Sequence, residues 1–550
     1  MHTELSTDVL IIGGTAGGTA AALVLAEKRV PFLVFESTDW LGGQLTAQAV
    51  PPDENRWVEE YGCTRRYADL RRMVRAAYLG RPIRDGFRTD PRLNPGGGWV
   101  SRLCAEPRIW MQCLHQQLAS LLGDPDLKPV HFGFTPVSAT ADGDRVRSVT
   151  FSHADGRTIT VTAKYILDAS DLGDLYNLAG IEHRIGAEHT SVHGELHGHP
   201  DKTDPADQQA VSWCFALEHR PGEDHTIPRP KNYDFWRSYV PQMTPPWAGG
   251  ERLFSWTVPS HNVEGRRTFR LVPWPDQPDK GELEMWRYRR ISMRRLYQDS
   301  AADQYPDVTL INMVQMDYWQ RPLLGVSPAD RAAALAGARE QSLNLIHWMQ
   351  TEAPRHDSDS KLGYPGLKLR GNELGTADGF AKACYIREPR RLEALTIVHE
   401  GHVGTEQRQK AGLNTKALNW EATPFGTGER FPDSVGIGHY MIDLHPSTAG
   451  RNNVYVNCAP FRIPMGALIP KRVRNVVCAG KAMGVTHVTN GAYRMHPTEW
   501  NAGEAAATLA AWCLAHDLEP HAVHEYADHV RHVQDVLAAD GVRFAWPWEV

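Results

Sequence analysis

Twenty-five histidines are spread over 550 residues, and four of them fall in two stretches near the C-terminal end. His439 and His445 stand in GIGHYMIDLHP, His487 and His496 in GVTHVTNGAYRMHPTEW. Histidine exchanges a proton near neutral pH, so these stretches point to a general base or acid. Position in the chain ranks His445 first, then His439, His487 and His496, the last standing before a proline where capping a helix is an equal use. In an extended strand His439 and Tyr440 would face opposite ways, so the two compete for a site. Arg494, and Arg387 in YIREPRRL, could grip a carboxylate through two parallel N–H bonds or stabilise a developing anion. Arg387 equally fits a solvated charge cluster with Glu388, Arg390 and Arg391. Asp317 and Tyr318, after VTLINMVQM, and Tyr440 complete the candidate substrate contacts.

Such a set removes a proton from O–H or N–H. An oxidation also needs a hydride acceptor, which side chains do not supply, so the elements to look for are those that hold a redox cofactor. The stretch TDVLIIGGTAGGTAAALVLAEKRVPFLVFES, residues 7–37, reads as strand (Val9–Ile12), glycine turn, helix (Ala20–Glu27) and strand (Phe32–Phe35). That order opens a doubly wound, Rossmann-like α/β sheet. Gly13, Gly14 and Gly18 fit the dinucleotide pattern, Thr15 occupies the place of its second glycine, and Ala16 and Gly17 complete the turn. Backbone N–H groups there can approach a pyrophosphate at the positive helix end, and Glu36, with Ser37 beside it, can accept hydrogen bonds from a ribose diol.

Three further segments favour a resident flavin over a releasable nicotinamide. WLGGQLTAQ places Gly42 and Gly43 directly after the second strand, LDASDLGDL ends a strand at small residues, and CAGKAMG puts Gly480 at another strand end. The helix opening at HPTEWNAGE could aim its N–H groups at the flavin N1 and O2 edge, where the reduced ring carries negative charge. FAD is the expected cofactor, and no metal site is expected.

Composition bounds the partners. Apolar residues make up 42% and charged residues 23%, the profile of a globular chain. A net charge of -6 leaves no electrostatic footprint for nucleic acid, so a small-molecule substrate is the default. No apolar run is long enough to span a membrane, and no signal-peptide pattern opens the chain. Eight cysteines without a C-x-x-C pair suit neither zinc nor a disulfide framework and point to buried thiols in the cytoplasm. Homo-oligomerisation is left open.

The length implies two or three domains. The texture divides into a first part of the FAD-binding domain at 1–200, a substrate or cap domain with a mixed or antiparallel sheet and helices at 201–430, a second part of the FAD-binding domain at 431–515, and a helical tail at 516–550. Within these, 130–167 reads as an antiparallel meander, 211–217, 267–274 and 308–314 as strands, 327–352 as one long helix, 475–484 as a strand with its glycine turn, and 497–515 as a helix.

The chain resembles the FAD-dependent oxidoreductases of the glutathione-reductase-2 type, and within them the large bacterial proteins of that description with a fumarate-reductase-like flavin fold. DVLIIGGTAGGTAAA, LGGQLTAQ, YILDASDLGDLYNLAG, YIREPRRL, FRIPMGALIPKRVRNVVCAGKAMGVTHV and YRMHPTEWNAGEAAA carry the resemblance. It implies adenosine at Gly13–Gly18, Glu36 and the backbone near Val137. It further implies pyrophosphate and ribityl along Gly42, Gly43, Gln44, Leu45 and Gly480, and the ring edge at Glu499, Trp500, Asn501 and Gly503. Ala169, Ser170 and Lys481 lie where the family also approaches the cofactor, although DASDLGD and Gly480-Lys481 depart from its usual wording. With no second glycine motif and no redox cysteine pair, electrons are expected to come from an organic substrate and leave to oxygen, a quinone or a carrier protein. The leading expectation is oxidation of a small hydroxy, sugar-like or amine metabolite by hydride transfer to flavin N5. Reduction of an activated C=C bond, with Arg494 or Arg387 delivering a proton, and a structural or redox-sensing flavin acting through a partner are the alternatives. Cys63 is a candidate for a covalent flavin link.

Overall fold

A computed structural model describes residues 2–124, 126–248, 250–259, 266–271, 284–357, 361–413 and 426–549. Its main sheet contains β1 (His2–Ile12), β2 (Phe32–Glu36), β3 (Val130–Phe132), β4 (Phe134–Asp142), β5 (Arg145–His153) and β6 (Thr158–Asp168), in the order β3-β2-β1-β6-β5-β4. β3, β2, β1 and β6 run parallel, and β5 and β4 continue the sheet antiparallel. The residues expected to form one meander are thus divided, because Val130–Phe132 pairs with β2 in parallel. The apolar run Val9–Ile12 is wholly buried, as a parallel strand covered on both faces must be. The first helix, α1 (Ala16–Glu27), begins four residues earlier than its apolar pattern suggests, with Thr15 as its N-cap.

A second core gathers around an antiparallel sheet of β7 (Phe215–His219), β8 (Arg290–Ser292), β9 (Val308–Ile311) and β10 (Leu367–Leu369), in the order β8-β9-β7-β10. The long helix α2 (Pro328–Thr351) closes it. Ser327 caps α2 by accepting from the Asp330 amide at 3.1 Å, Pro328 occupies the first turn, and Leu345, Trp348 and Met349 face inward. The strand read at 211–217 is interrupted, Val211–Ser212 pairing separately with Asp317–Tyr318. Of the expected strand at 267–274, Arg266–Thr268 is extended, and 272–274 lie outside the described residues.

The chain then returns to the first core. β11 (Val476–Cys478) pairs in parallel with the end of β6, so Ile12, Asp168 and Cys478 lie in one row across the sheet. Helices α3 (His487–Tyr493) and α4 (His496–His516) follow. The domain boundaries inferred from composition shift accordingly. Leu392, Ala394, Val398 and Val403 pack in the first core, which moves the end of the inserted unit back from 430. Val523, Val530, Val533 and Leu537 pack there too, so residues after 515 are part of that domain rather than a separate tail. Among the described residues no helix is long and apolar enough to cross a membrane, and no cluster of metal-ligating side chains occurs.

Candidate active site

The ends of β1, β6 and β11 release Gly13, Ala169 and Ala479 side by side, at the edge where open α/β sheets bind ligands. Gly13 has φ 93°, and a Cβ there would stand 2.7 Å from the Ala169 carbonyl oxygen. Thr15 donates from its hydroxyl to that same oxygen at 2.8 Å and accepts from the Gly18 amide at 3.3 Å. A Cβ on Gly17 would overlap the Ala479 carbonyl, and one on Gly503 would overlap the Gly17 carbonyl, so α1 and α4 cross backbone against backbone. Ala16 is buried in the first turn of α1, whose amides have no acceptor within the helix. Glu36 receives the Gly14 amide and the Thr38 amide, both at 2.7 Å, with Ser37 donating at 3.2 Å. Burial raises the Glu36 pKa against the pull of these amides, and Oε2, which takes only the Gly14 amide, keeps a lone pair for a further donor. Val137 is half exposed at a bulge of β4, while Phe134, at the start of that strand, meets the Phe35 ring of β2 edge-on.

The second glycine pair docks on this loop. The Gly42 amide donates to Gly14 O at 2.7 Å, and Gly42 and Gly43, with φ 106° and 51°, turn the chain into the short helical turn Gly43–Leu45. From there Gln44 donates to Glu499 and, at 3.1 Å, to the Arg494 carbonyl. Gln48 donates to Asp171 at 2.6 Å, and Lys481, fully buried, donates to the other Asp171 oxygen at 2.7 Å and to Ile386 O at 2.8 Å. Asp171 and Gln48, outside the residues singled out from the sequence, thus tie three cofactor segments together. Ser170 caps its own turn on Asp168, whose carboxyl burial pushes up to about 7.

Of the four residues expected at the ring edge, Glu499 alone faces these segments. Trp500 donates to Glu504 at 2.6 Å and packs edge-on against Tyr67, Asn501 is pinned to Val435 and Ile437, and Gly503 meets α1. These three hold α4 in place.

The residues suit FAD on two counts. A Cβ on Gly480 would come no closer than 3.6 Å to its nearest neighbours, Ala169 Cα and Glu499 Oε1, so packing within the chain does not require glycine there and the strand end leaves room for a bound group. His496 Nδ1 accepts the Asp53 amide at 3.0 Å, which assigns the proton to Nε2, a fully buried atom without a partner among the described residues. Burial, aided by Arg289, Lys481 and Arg494, lowers the His496 pKa to about 3. It is therefore a neutral donor at the junction of cofactor segments and cavity, and the base role expected of it is set aside.

That cavity, of about 220 Å³, is lined among others by Asp53, Tyr288, Arg289, Tyr385, Arg387, Tyr440, Asp443, His445 and Arg494. His445 Nδ1 stands 2.6 Å from Asp317 Oδ2, and its Nε2 is 3.4 Å from Asp443 Oδ2. Asp317 is fully buried; burial pushes its pKa up, but Arg387 at 2.9 Å, His445 and the Ser212 hydroxyl at 2.6 Å outweigh this and hold it at about 2. An ionised Asp317 takes the Nδ1–H of His445 and leaves Nε2 as the proton acceptor. Arg494 donates to the Tyr385 hydroxyl at 2.7 Å and to Asp443 O at 3.1 Å, while its carbonyl holds Gln44, so it joins cavity to cofactor segments.

The other candidates lie elsewhere. GIGHYMIDL is not one strand: Ser434–Gly438 and Ile442–Leu444 are separate, and His439 falls between them. Its ring leans on Trp57 with centroids 5.2 Å apart, burial lowers its pKa to about 4, and it lines a second cavity with Glu54, Trp99 and Arg102. Tyr440 lines both cavities. His487 is buried between Glu388 at 2.9 Å and Arg451 at 2.7 Å, a packing role in an ion network with Arg391 and Glu188. Tyr318, on the opposite face of its strand from Asp317, packs over Gly337 of α2 and is not among the residues that line the first cavity. Cys63 donates to Val58 O at 3.2 Å, and burial pushes its thiol up to about 12, against nucleophilic use. Arg289 and Asp53, which line the first cavity, carry no sequence signal that separates them from other charged residues.

A family model described as FAD dependent oxidoreductase matches residues 8–537. Comparison with the curated proteins gives no match. Among solved structures the chain is similar to L-proline dehydrogenase from P. horikoshii, with 17% identity over 31% of this chain and 23% of that one at a TM-score of 0.17. It is similar to the rebeccamycin biosynthetic enzyme RebC with reduced flavin, with 21% identity over 40% and 39% at 0.24, and to Thermovibrio ammonificans THI4, with 20% identity over 34% and 67% at 0.21. The chain spans under two fifths of the length of the first two.

Proposed function

Because the chain belongs to the FAD dependent oxidoreductase family, we propose that it oxidises a small polar hydroxy, sugar-like or amine metabolite bound in the 220 Å³ cavity, with His445 as the base. The observation that carries this reading is the His445–Asp317 pair at 2.6 Å on the cavity wall. FAD, when bound, supplies the hydride-accepting chemistry at N5. Gly13–Gly18, Glu36, Gly42–Leu45, Lys481 and Glu499 are the residues that would hold it.

His445 Nε2 takes the proton from the substrate O–H or N–H. Asp317 fixes the ring orientation from behind, and the Asp443 carboxylate, 3.4 Å from Nε2, faces the cation once the proton has arrived. Arg387, tied to Asp317, keeps that carboxylate ionised and acts by positioning rather than by touching substrate. The Arg494 guanidinium holds Tyr385 toward the cavity.

The proposed acceptor of the electrons is oxygen, a quinone or a carrier protein. A cytoplasmic setting is supported by eight cysteines that are all free. The test is anaerobic mixing of the FAD-loaded protein with hydroxy and amine metabolites. Bleaching of the flavin band near ~450 nm is expected. Bleaching by none of them, together with reoxidation of reduced flavin by an unsaturated acid, would replace this reading by the reductase one.

A further inference from the structure

We infer that Arg289 is an anion anchor and that the substrate carries a carboxylate beside its oxidisable carbon. The inference rests on the proposed function, of which it names the substrate class. Four guanidiniums line or edge the cavity: Arg267, Arg289, Arg387 and Arg494. Two of these are committed within the chain. Arg387 donates to Ala210 O at 2.8 Å and pairs with Asp317 at 2.9 Å, and Arg494 donates to Tyr385 and to Asp443 O, so each leaves only Nε without an acceptor.

Arg289 differs. Its Nε and Nη1 are both buried without an acceptor among the described residues, and its closest carboxylate, Asp53 Oδ1, lies 3.8 Å from Nη1, beyond hydrogen-bond reach. The same Asp53 oxygen lies 3.5 Å from the Tyr440 hydroxyl. Buried donors without acceptors are unfavourable, and those of a cation more so, which makes this guanidinium the place where an incoming oxyanion gains most. A planar guanidinium also matches a carboxylate in shape. The charge around the cavity agrees: four guanidiniums face Asp53, Asp443 and the Asp317 behind His445, leaving an excess suited to one negative charge.

Size narrows the class. At ~30 Å³ per water-sized group, the cavity takes roughly seven such groups, the size of a small hydroxy or amino acid. With its carboxylate on Arg289, such a substrate can offer its hydroxyl or amino group to His445, which lines the same cavity.

The inert probes propanoate and propanamide test this by isothermal titration calorimetry on the FAD-loaded protein. Propanoate is expected to bind at least about tenfold more tightly than propanamide. Arg289→Gln should remove most of that preference, Arg289→Lys should restore part of it, and His445→Ala should leave propanoate binding within about twofold. Equal binding of the two probes by the unmodified protein, or no binding of propanoate, overturns the anchor whatever the variants do. If His445→Ala leaves flavin reduction intact while propanoate still prefers Arg289, the base assignment falls and the anchor stands.

Discussion

The crossing of α1 with α4 and the cavity around His445 are both buried, yet they are built from opposite materials. At the crossing, Gly17 and Gly503 bring backbones so close that a side chain on either would overlap a carbonyl oxygen, that of Ala479 or of Gly17. In the cavity, Asp317, Arg387, His445, Asp443 and Arg494 are held apart by charge and hydrogen bonds at 2.6 to 3.5 Å. The difference teaches which kind of change each region admits. A crossing set by distance refuses added volume and ignores charge, whereas a cavity set by charge accepts isosteres and refuses altered ionisation.

The largest expected effect is at the charge-built side. Asp317→Ala leaves Arg387 buried and unpaired and should destabilise by about 3–5 kcal/mol, read by denaturant unfolding. Because Asp317 titrates near 2 in the folded chain, below the usual carboxylate value, its contribution is present above about pH 4 and is lost as pH falls toward 2. A neutral outcome would show that charge does not build the cavity. His445→Ala should lower the rate of flavin reduction by about 10²-fold or more with little change in thermal midpoint, which separates chemistry from framework.

Gly503→Ala should destabilise by about 1–3 kcal/mol or more, although a methyl group is all it adds. Normal stability would mean the crossing can open. His439→Phe should matter only in acid. The folded chain holds His439 near 4 while the unfolded chain protonates it near its usual value, so stability falls as pH drops from about 6.5 to 4, and the phenyl ring should flatten that slope. The smallest stability effect is expected for Gly480→Ala, within about 0.5 kcal/mol, but the same variant should release FAD more readily on dilution, read by flavin fluorescence.

The two regions also differed in how far the sequence foretold them. The glycine loop and its flanking strands are read from consecutive residues, as are Ser327, Pro328 and Asp330 at the start of α2, because turns and caps are local. In the sequence Glu499 stands with Trp500, Asn501 and Gly503 as one ring edge, but a helix rotates ~100° per residue, so Trp500 and Asn501 leave the face on which Glu499 sits. His445 and Asp317 were each identifiable, while their pairing, across 128 positions, had no sequence signal. Arg289 and Asp53 were invisible for the same reason: a guanidinium with unused donors is a property of surroundings, not of spelling.

β6 takes β1 along one edge and shares the other between β5 and β11, so the row Ile12, Asp168, Cys478 draws on both extremes of the chain. On a ribosome this row cannot be completed until Cys478 has emerged, on the order of a minute after β1. The nascent protein therefore carries an unfinished sheet edge from the synthesis of β6 until that of β11.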